Sequence, residues 1–202
     1  MTPNQVFAEA RHVMNDTDAA DYRQDDLELL AYLNAGINEA CVLRPDLFIS
    51  NAELTCDTGK TEQGLTVAVA KSLVEVIRIK NGRAVLPGDL AALQAFNPNW
   101  GQDAEGPAVN WFPYPGDPRR FYIYPKSPAG QILETKHVRN PTVIADSALD
   151  TEIGELPSAF HTALVHYVVA RSESKDDEHV LTQRASGHYG LFLSLLKEPG
   201  AS

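Results

Sequence analysis

Six histidines, His12, His137, His161, His166, His179 and His188, are the residues best suited to hold a metal or move a proton near neutral pH. A helical metal site needs two of them three or four residues apart, and no pair has that spacing. His161 and His166 stand five apart, which on a helix turns them about 140° from one another. They read as one partly buried and one solvated imidazole, with a small hydrolase using His161 or His166 and an acidic partner as the enzymatic alternative. Asp176, Asp177 and Glu178 beside Lys175 could supply an acid and a base. Adjacent helical positions diverge, however, and a helix start or solvated charge cluster is the simpler reading. Asp16, Asp18 and Asp21 alternate somewhat as calcium ligands do, without the turn glycine or closing glutamate of an EF-hand. There is no glycine-rich phosphate loop, no Gly-x-Ser-x-Gly elbow and no His-Glu-x-x-His helix. Cys41 and Cys56 are too few for a disulfide framework or a zinc knuckle and read as small buried apolar residues. Spacing alone yields no catalytic site, no metal site and no cofactor.

The elements that position these groups are helical at the ends of the chain and strand-rich in the middle. Thr2-Pro3 looks like an N-cap with proline at the first helical position, followed by Val6, Ala10, Val13 and Met14 at helical spacing up to about Asn15. Asp25 with Glu28 forms an aspartate capping box before Leu29, Leu30, Leu33, Ile37 and Cys41, and Arg44-Pro45 ends that helix. Gly36 lies in its middle at a cost of about 1 kcal/mol relative to alanine, which a closely packed neighbour would explain. From Leu54 to Val138 the pattern shortens. Leu73, Glu75, Ile77 and Ile79 alternate with Val74, Val76, Arg78 and Lys80, and Asn81-Gly82 signals a tight turn into Arg83–Leu86. Asp89–Phe96 reads as a helical turn or two, and Phe121–Tyr124 and Ile132–Val138 as strands. Eight of the thirteen prolines fall between residues 87 and 128, which suits short strands joined by shaped loops. Helix returns with Phe160, Leu164, Tyr167, Val168 and Arg171 on one face. A last helix carries Leu181, Ala185, His188, Tyr189, Phe192, Leu195 and Leu196 before Pro199-Gly200. The expectation is an α+β fold: residues 1–52 and 142–202 form a helical bundle, and 53–141 a β-rich insertion.

A chain of 202 residues, 44% hydrophobic and 22% charged, has enough apolar material for one core or two small ones. No run approaches a membrane span, and MTPNQVFAEA has neither the basic start nor the apolar stretch of a signal peptide, so synthesis in a cytoplasm without membrane association is expected. The net charge of -10 is uneven. Residues 1–30 hold seven carboxylates against two arginines, whereas residues 54–144 hold ten basic against eight acidic groups. Such a balance argues against tight binding to nucleic acid. Trp100, Trp111, Phe112, Tyr114, Phe121, Tyr122 and Tyr124 crowd together with Arg119 and Arg120. About half would serve as core. The surplus, with Trp100, Trp111, Phe112, Tyr114, Arg119 and Arg120 as candidates, reads as a surface for protein contact, because Trp, Tyr and Arg dominate interface hot spots.

An ordered set of short motifs spans nearly the whole chain. It starts with Ala10-Arg11, Met14-Asn15-Asp16, Tyr22-Arg23, Glu28-Leu29-Leu30, Leu33-Asn34-Ala35-Gly36 and Leu43-Arg44-Pro45-Asp46. It continues with Leu73-Val74-Glu75-Val76, Asn97-Pro98-Asn99-Trp100, Asp117–Pro125, Arg171–Asp176, Arg184-Ala185 and His188-Tyr189. The set resembles the head-to-tail connector, or adaptor, proteins of tailed bacteriophages. Gln24 departs from it, standing where similar proteins often carry tryptophan. The resemblance implies a structural virion protein, not an enzyme: a helical bundle with a β-rich insertion, assembled as a ring, typically of twelve copies, beneath the portal protein ring. Its place would be the virion neck, after assembly in the host cytoplasm. Such a ring extends the DNA channel, through which DNA passes without specific binding, and offers a platform to downstream tail or nozzle proteins. Another ring-forming neck or tail-completion protein is the neighbouring alternative. Ring subunits need two different complementary surfaces, and the candidates for this subunit interface are the aromatic-rich middle, with Trp100, Trp111, Phe112, Tyr114, Arg119 and Arg120, and the charged helices. An acidic channel wall would keep phosphates from sticking, with Asp16, Asp18, Asp21, Asp176, Asp177 and Glu178 as the candidates. Phe192, Leu195 and Leu196 on the last helix are the candidates for docking onto the portal.

Overall fold

The computed structural model describes residues 1–175 and 182–197, and the fold is α+β. The chain gathers into two compact units, Met1–Phe48 with Pro141–Ser202, and Ile49–Asn140.

In the first unit α1 (Pro3–Met14) starts on a reciprocal capping box: Thr2 Oγ1 accepts from the Gln5 N–H, and the Gln5 side chain accepts from the Thr2 N–H. It ends where Asn15 turns left-handed, with φ 59°. For α2 (Asp26–Leu43) the cap is Asp25, whose carboxylate accepts the Glu28 N–H at 2.7 Å. The other two helices are α4 (His161–Glu173) and α5 (Thr182–Leu196). The one-faced pattern expected around Leu164 and Tyr167 understates α4: ten of its residues are buried, and it packs against α1, α2 and α5. A helix covered on most sides has to be apolar around most of its girth, and Ala163, Leu164, Val165, Val168, Val169 and Ala170 make it so. Gly36 is the contact point between α2 and α4. A Cβ added there would lie 2.8 Å from Cδ1 of Tyr167, which accounts for a glycine in mid-helix. The irregular segment after Pro141 is tied down by Asn34, whose side chain donates to the Ile144 carbonyl at 3.0 Å and accepts the Ile144 N–H at 2.8 Å.

The second unit holds β1 (Ile49–Thr55), β2 (Glu62–Gly64), β3 (Ala70–Ile79), β4 (Leu86–Pro87), α3 (Leu90–Phe96), β5 (Asn110–Pro113), β6 (Arg120–Tyr124) and β7 (Ile132–Arg139). They form a three-stranded sheet of order β1-β7-β3 and a four-stranded sheet of order β2-β6-β5-β4. Side chains of both sheets share one core of Cys56, Val76, Val85, Ala108, Phe121, Ile123 and Leu133. The expected hairpin at Asn81-Gly82 keeps its turn, with Asn81 at φ 56° and the Gly82 N–H on the Ile79 carbonyl. Its return arm makes only an isolated bridge between Arg78 and Ala84 before β4 leaves to pair with β5, in parallel. The main partner of β3 is β7, and its register shifts three times. Each bulge moves the inward position along the strand, so Leu73, Val76 and Ile79 meet the core in place of a strict alternation. The strand region also opens earlier than expected, at Ile49.

Candidate interaction surfaces

The groups with chemical potential are mostly engaged in holding the fold. His161 is buried, with the Met1 amino group 2.8 Å from its Nδ1 and the Leu156 carbonyl 3.1 Å from its Nε2. His166 faces His188 across α4 and α5, Nδ1 to Nδ1 at 3.0 Å, with rings inclined by 28°. Burial pushes both pKa values below the ordinary 6.5, and His166 and Arg184 push His188 further while Glu173 opposes them. Sequence spacing could not reveal the pair, because its members lie 22 residues apart on different helices. Among the described residues no carboxylate hydrogen-bonds to the rings of His161 and His166 as the hydrolase alternative requires. Among the described residues no three His, Cys, Asp or Glu side chains come together as a metal site.

The acidic candidates separate. Asp16 is half-buried, accepts the Arg23 N–H at 3.2 Å and pairs with Arg11 at 3.4 Å, so it fastens the α1–α2 connection. Asp18 and Asp21 are exposed, Asp18 accepting the Ala20 N–H. Asp176, Asp177 and Glu178 lie outside the described residues, as does His179. Buried Arg11 carries more than that pair: it also reaches Asp26 at 2.7 Å and the Gln24 carbonyl at 3.0 Å. Gln24 itself is 1% exposed, and neither atom of its amide has a hydrogen-bond partner among the described residues.

The aromatic candidates form a layer on one face of the four-stranded sheet. Antiparallel pairing places Phe112 opposite Tyr122 and Trp111 opposite Ile123, so the two pairs point to opposite faces. Trp111 turns inward with Phe121 and Ile123 and packs on the shared core. On the other face Trp100 sits edge-on to Tyr122 with ring centres 5.5 Å apart and 6.5 Å from Phe112, and Tyr114 lies 5.2 Å from Tyr122. Phe112 is buried so closely against Gly88 that a Cβ there would come within 2.4 Å of its ring. Arg120 stacks its guanidinium 4.4 Å above the Tyr114 ring and pairs with Glu62, and Arg119 forks onto Asp117 at 3.1 and 3.2 Å. Trp100, Tyr114, Tyr122, Arg119 and Arg120 remain half-exposed, whereas Phe112 is interior.

On α5 the three docking candidates divide in the same way. Phe192 and Leu196 are buried in the helical unit, Phe192 against Tyr167 at 4.9 Å, so their role there is core packing. Leu195 is exposed, together with Leu191 one turn away. On another face of α5 a groove of about 470 Å³ runs between α2, α4 and α5, lined by Glu39, Tyr167, Arg171 and Tyr189. Glu39 accepts hydroxyl hydrogen bonds from Tyr167, at 3.0 Å, and from Tyr189. Burial and this carboxylate push the Tyr167 phenol up to about 12.

Most side chains that could do chemistry are therefore spent on structure, and the groups left over are half-exposed rings, paired arginines and exposed aliphatics. Those are groups suited to contact between proteins, carried on a helical unit with a β insertion. Residues 1–201 match the family model described as SU10 adaptor protein, and the chain belongs to that family of phage adaptor proteins. Membership carries a structural, non-enzymatic role. No curated protein matches the chain. No helix among the described residues is long and apolar enough to cross a membrane.

Proposed function

We propose that this protein is a head-to-tail adaptor that assembles as a ring beneath the portal, lengthens the DNA channel in the virion neck and gives later tail proteins their platform. The match to the SU10 adaptor family over residues 1–201 carries the reading. Three features of the molecule support it. Half-exposed Trp100, Tyr114 and Tyr122 with Arg119 and Arg120 are the residue types that dominate protein interfaces. Exposed Leu191 and Leu195 leave α5 an apolar strip for a portal groove. Exposed Asp18 and Asp21, on a chain of net charge -10, suit a wall past which DNA slides without binding. The test mixes the purified protein with portal rings of the same phage and follows sedimentation. Co-migration at a fixed ratio is expected. Persistent separate migration under assembly conditions would overturn the proposal.

A further inference from the structure

Among the described residues every sheet edge but one is blunted. β2 and β4, the edges of the four-stranded sheet, have three and two residues, and β4 ends in proline. Around them the exposed side chains are Leu86, Phe96 and Val67. β3 bulges three times and its outer backbone is partly taken: the Leu73 N–H donates to the Pro118 carbonyl, the Ile79 N–H to that of Arg83, and the Ile77 carbonyl accepts the Val85 N–H. β1 differs. It runs for seven residues in unbroken register with β7, contains no proline, and ends the order β1-β7-β3. Shortness, bulges, prolines and covering segments keep an edge from pairing with another chain, and β1 uses none of them.

The ladder fixes which backbone groups are free. The Cys56 N–H donates to the Gln131 carbonyl one step beyond the Thr55–Ile132 pair, and bonded pairs alternate along an antiparallel ladder. Ser50, Ala52 and Leu54 therefore point their N–H and C=O groups at β7. Ile49, Asn51, Glu53 and Thr55 point theirs away. All four are exposed, and no backbone hydrogen bond joins them to another segment among the described residues. A row of donors and acceptors repeating every ~6.8 Å is the complement of an extended backbone, not of a helix or a rounded side chain. Side chains then select the extended chain. On one face the register sets Arg78, Glu134 and Glu53 in a row across the sheet, so two carboxylates stand side by side. Arg78 pairs with Glu134 and Lys80 reaches Glu53, each at 2.7 Å, yet the Glu53 side chain stays 53% exposed. A lysine or arginine opposite Glu53 on an added strand would complete the charge balance. On the other face Leu54 packs on the shared core, and small Ser50 and Ala52 beside it suit larger apolar side chains on a new strand. A second copy of β1 does not meet this need, because its one charged side chain is another glutamate. We propose that the β1 edge receives an extended segment of a partner protein as a fourth strand, with apolar side chains on the core face and a basic one opposite Glu53. The inference goes beyond the adaptor reading and does not rest on it.

The test takes the full-length protein and a blocked synthetic heptapeptide, Thr-Val-Lys-Val-Thr-Val-Ile. Laid antiparallel on β1, it sets its lysine opposite Glu53 and its valines on the core face. Amide hydrogen exchange read residue by residue should slow about tenfold at Asn51 and Glu53 with about 1 mM peptide, the protection given by a dissociation constant of about 0.1 mM. A peptide with glutamate in place of lysine should bind about tenfold more weakly, and Glu53→Lys should reverse that preference. N-methylation of the peptide's lysine amide, which faces β1, should abolish protection, whereas N-methylation of the next valine, whose amide faces away, should leave it. No protection at 53 and 51, or protection indifferent to which amide is methylated, would overturn the proposal. Protection that appears without peptide and rises with protein concentration would assign the edge to a second copy and overturn it as well. No portal is present in this measurement, so its failure and the failure of portal co-sedimentation are read separately.

Discussion

Gly36→Ala sets helix propensity against packing. Alanine in place of a mid-helix glycine favours α2 by about 1 kcal/mol in isolation. At this position the new methyl would stand 2.8 Å from Cδ1 and 3.0 Å from Cγ of Tyr167, well inside the roughly 3.5–4.0 Å of ordinary carbon contacts. The ring has little freedom to yield. Its hydroxyl is held by Glu39 at 3.0 Å, and its face meets Phe192 at 4.9 Å. Overpacking of this kind costs about 1–3 kcal/mol, and pulling the hydroxyl off a carboxylate costs a further ~1.5–3 kcal/mol if the ring swings. Packing outweighs propensity, and the variant should lose about 1–2 kcal/mol. Urea unfolding resolves the effect by unit. Ellipticity at 222 nm reports chiefly on the helices, while Trp100 and Trp111, the only tryptophans, report on the β-rich unit. The 222 nm midpoint should fall. In a Tyr167→Ala background the same substitution should instead stabilise by about 1 kcal/mol, the propensity that remains once the ring is gone. A Gly36→Ala protein more stable than the parent would refute the close-packing argument.

His166 and His188 titrate below 6.5 in the folded chain, so below that pH the unfolded chain binds more protons. Stability should be full above about pH 6.5 and decline as the pH falls toward the native values, by up to ~1.4 kcal/mol per pH unit for each histidine. Denaturant midpoints between pH 7.5 and 5 should show this slope and lose much of it in His166→Asn with His188→Asn; an unchanged slope would remove the pair from the explanation. Gln24→Leu deletes two buried amide atoms that have no partner among the described residues and should raise stability by about 1 kcal/mol in the same unfolding assay, whereas a loss of that size would show that the amide is satisfied. Phe192→Ala should cost about 3–5 kcal/mol, while Leu195→Asp should leave the unfolding midpoint nearly in place and weaken portal co-sedimentation; retained portal binding would free α5 from the docking role.

What the residues announced in advance was local. Thr2-Pro3, Asp25 with Glu28, Asp89 and Arg44-Pro45 mark helix ends through bonds or exclusions that span a few residues, and the structure places α1, α2 and α3 within those marks. What the residues hid was paired at a distance. β2 and β5 have three and four residues, too short to show a period, and exist because β6 lies between them. The alternation of β3 misleads because its bulges are dictated by register against β7, some sixty residues on. Among the candidate residues the same division holds. Residue type picked out Trp100, Tyr114 and Arg120 as contact candidates, and the structure leaves them half-exposed, but residue type could not foresee that Phe112 is sealed against Gly88 or that Phe192 and Leu196 lie in the helical core. The His166–His188 pair was invisible for a similar reason, since helical spacing is silent about a neighbouring helix.

The aromatic layer and the sheet edges offer surfaces of different kinds. Trp100, Tyr114 and Tyr122 are already in contact with one another, and Arg119 and Arg120 already have carboxylate partners. A protein that docks there meets a preorganised patch and loses little side-chain entropy, but it must match rings and charges fixed in place. Such a surface is selective and suits a dedicated partner. Phe96, Leu86 and Val67 have no comparable company. Their burial releases apolar area without breaking any hydrogen bond, and it asks only for a complementary hollow. The ring proposed above would have each chain join its own copies on two sides and a different protein besides, which separate surfaces of these two kinds would serve. Trp100→Ala should therefore weaken the binding of such a dedicated partner while leaving the unfolding midpoint nearly in place, and unchanged binding would free the aromatic layer from that role.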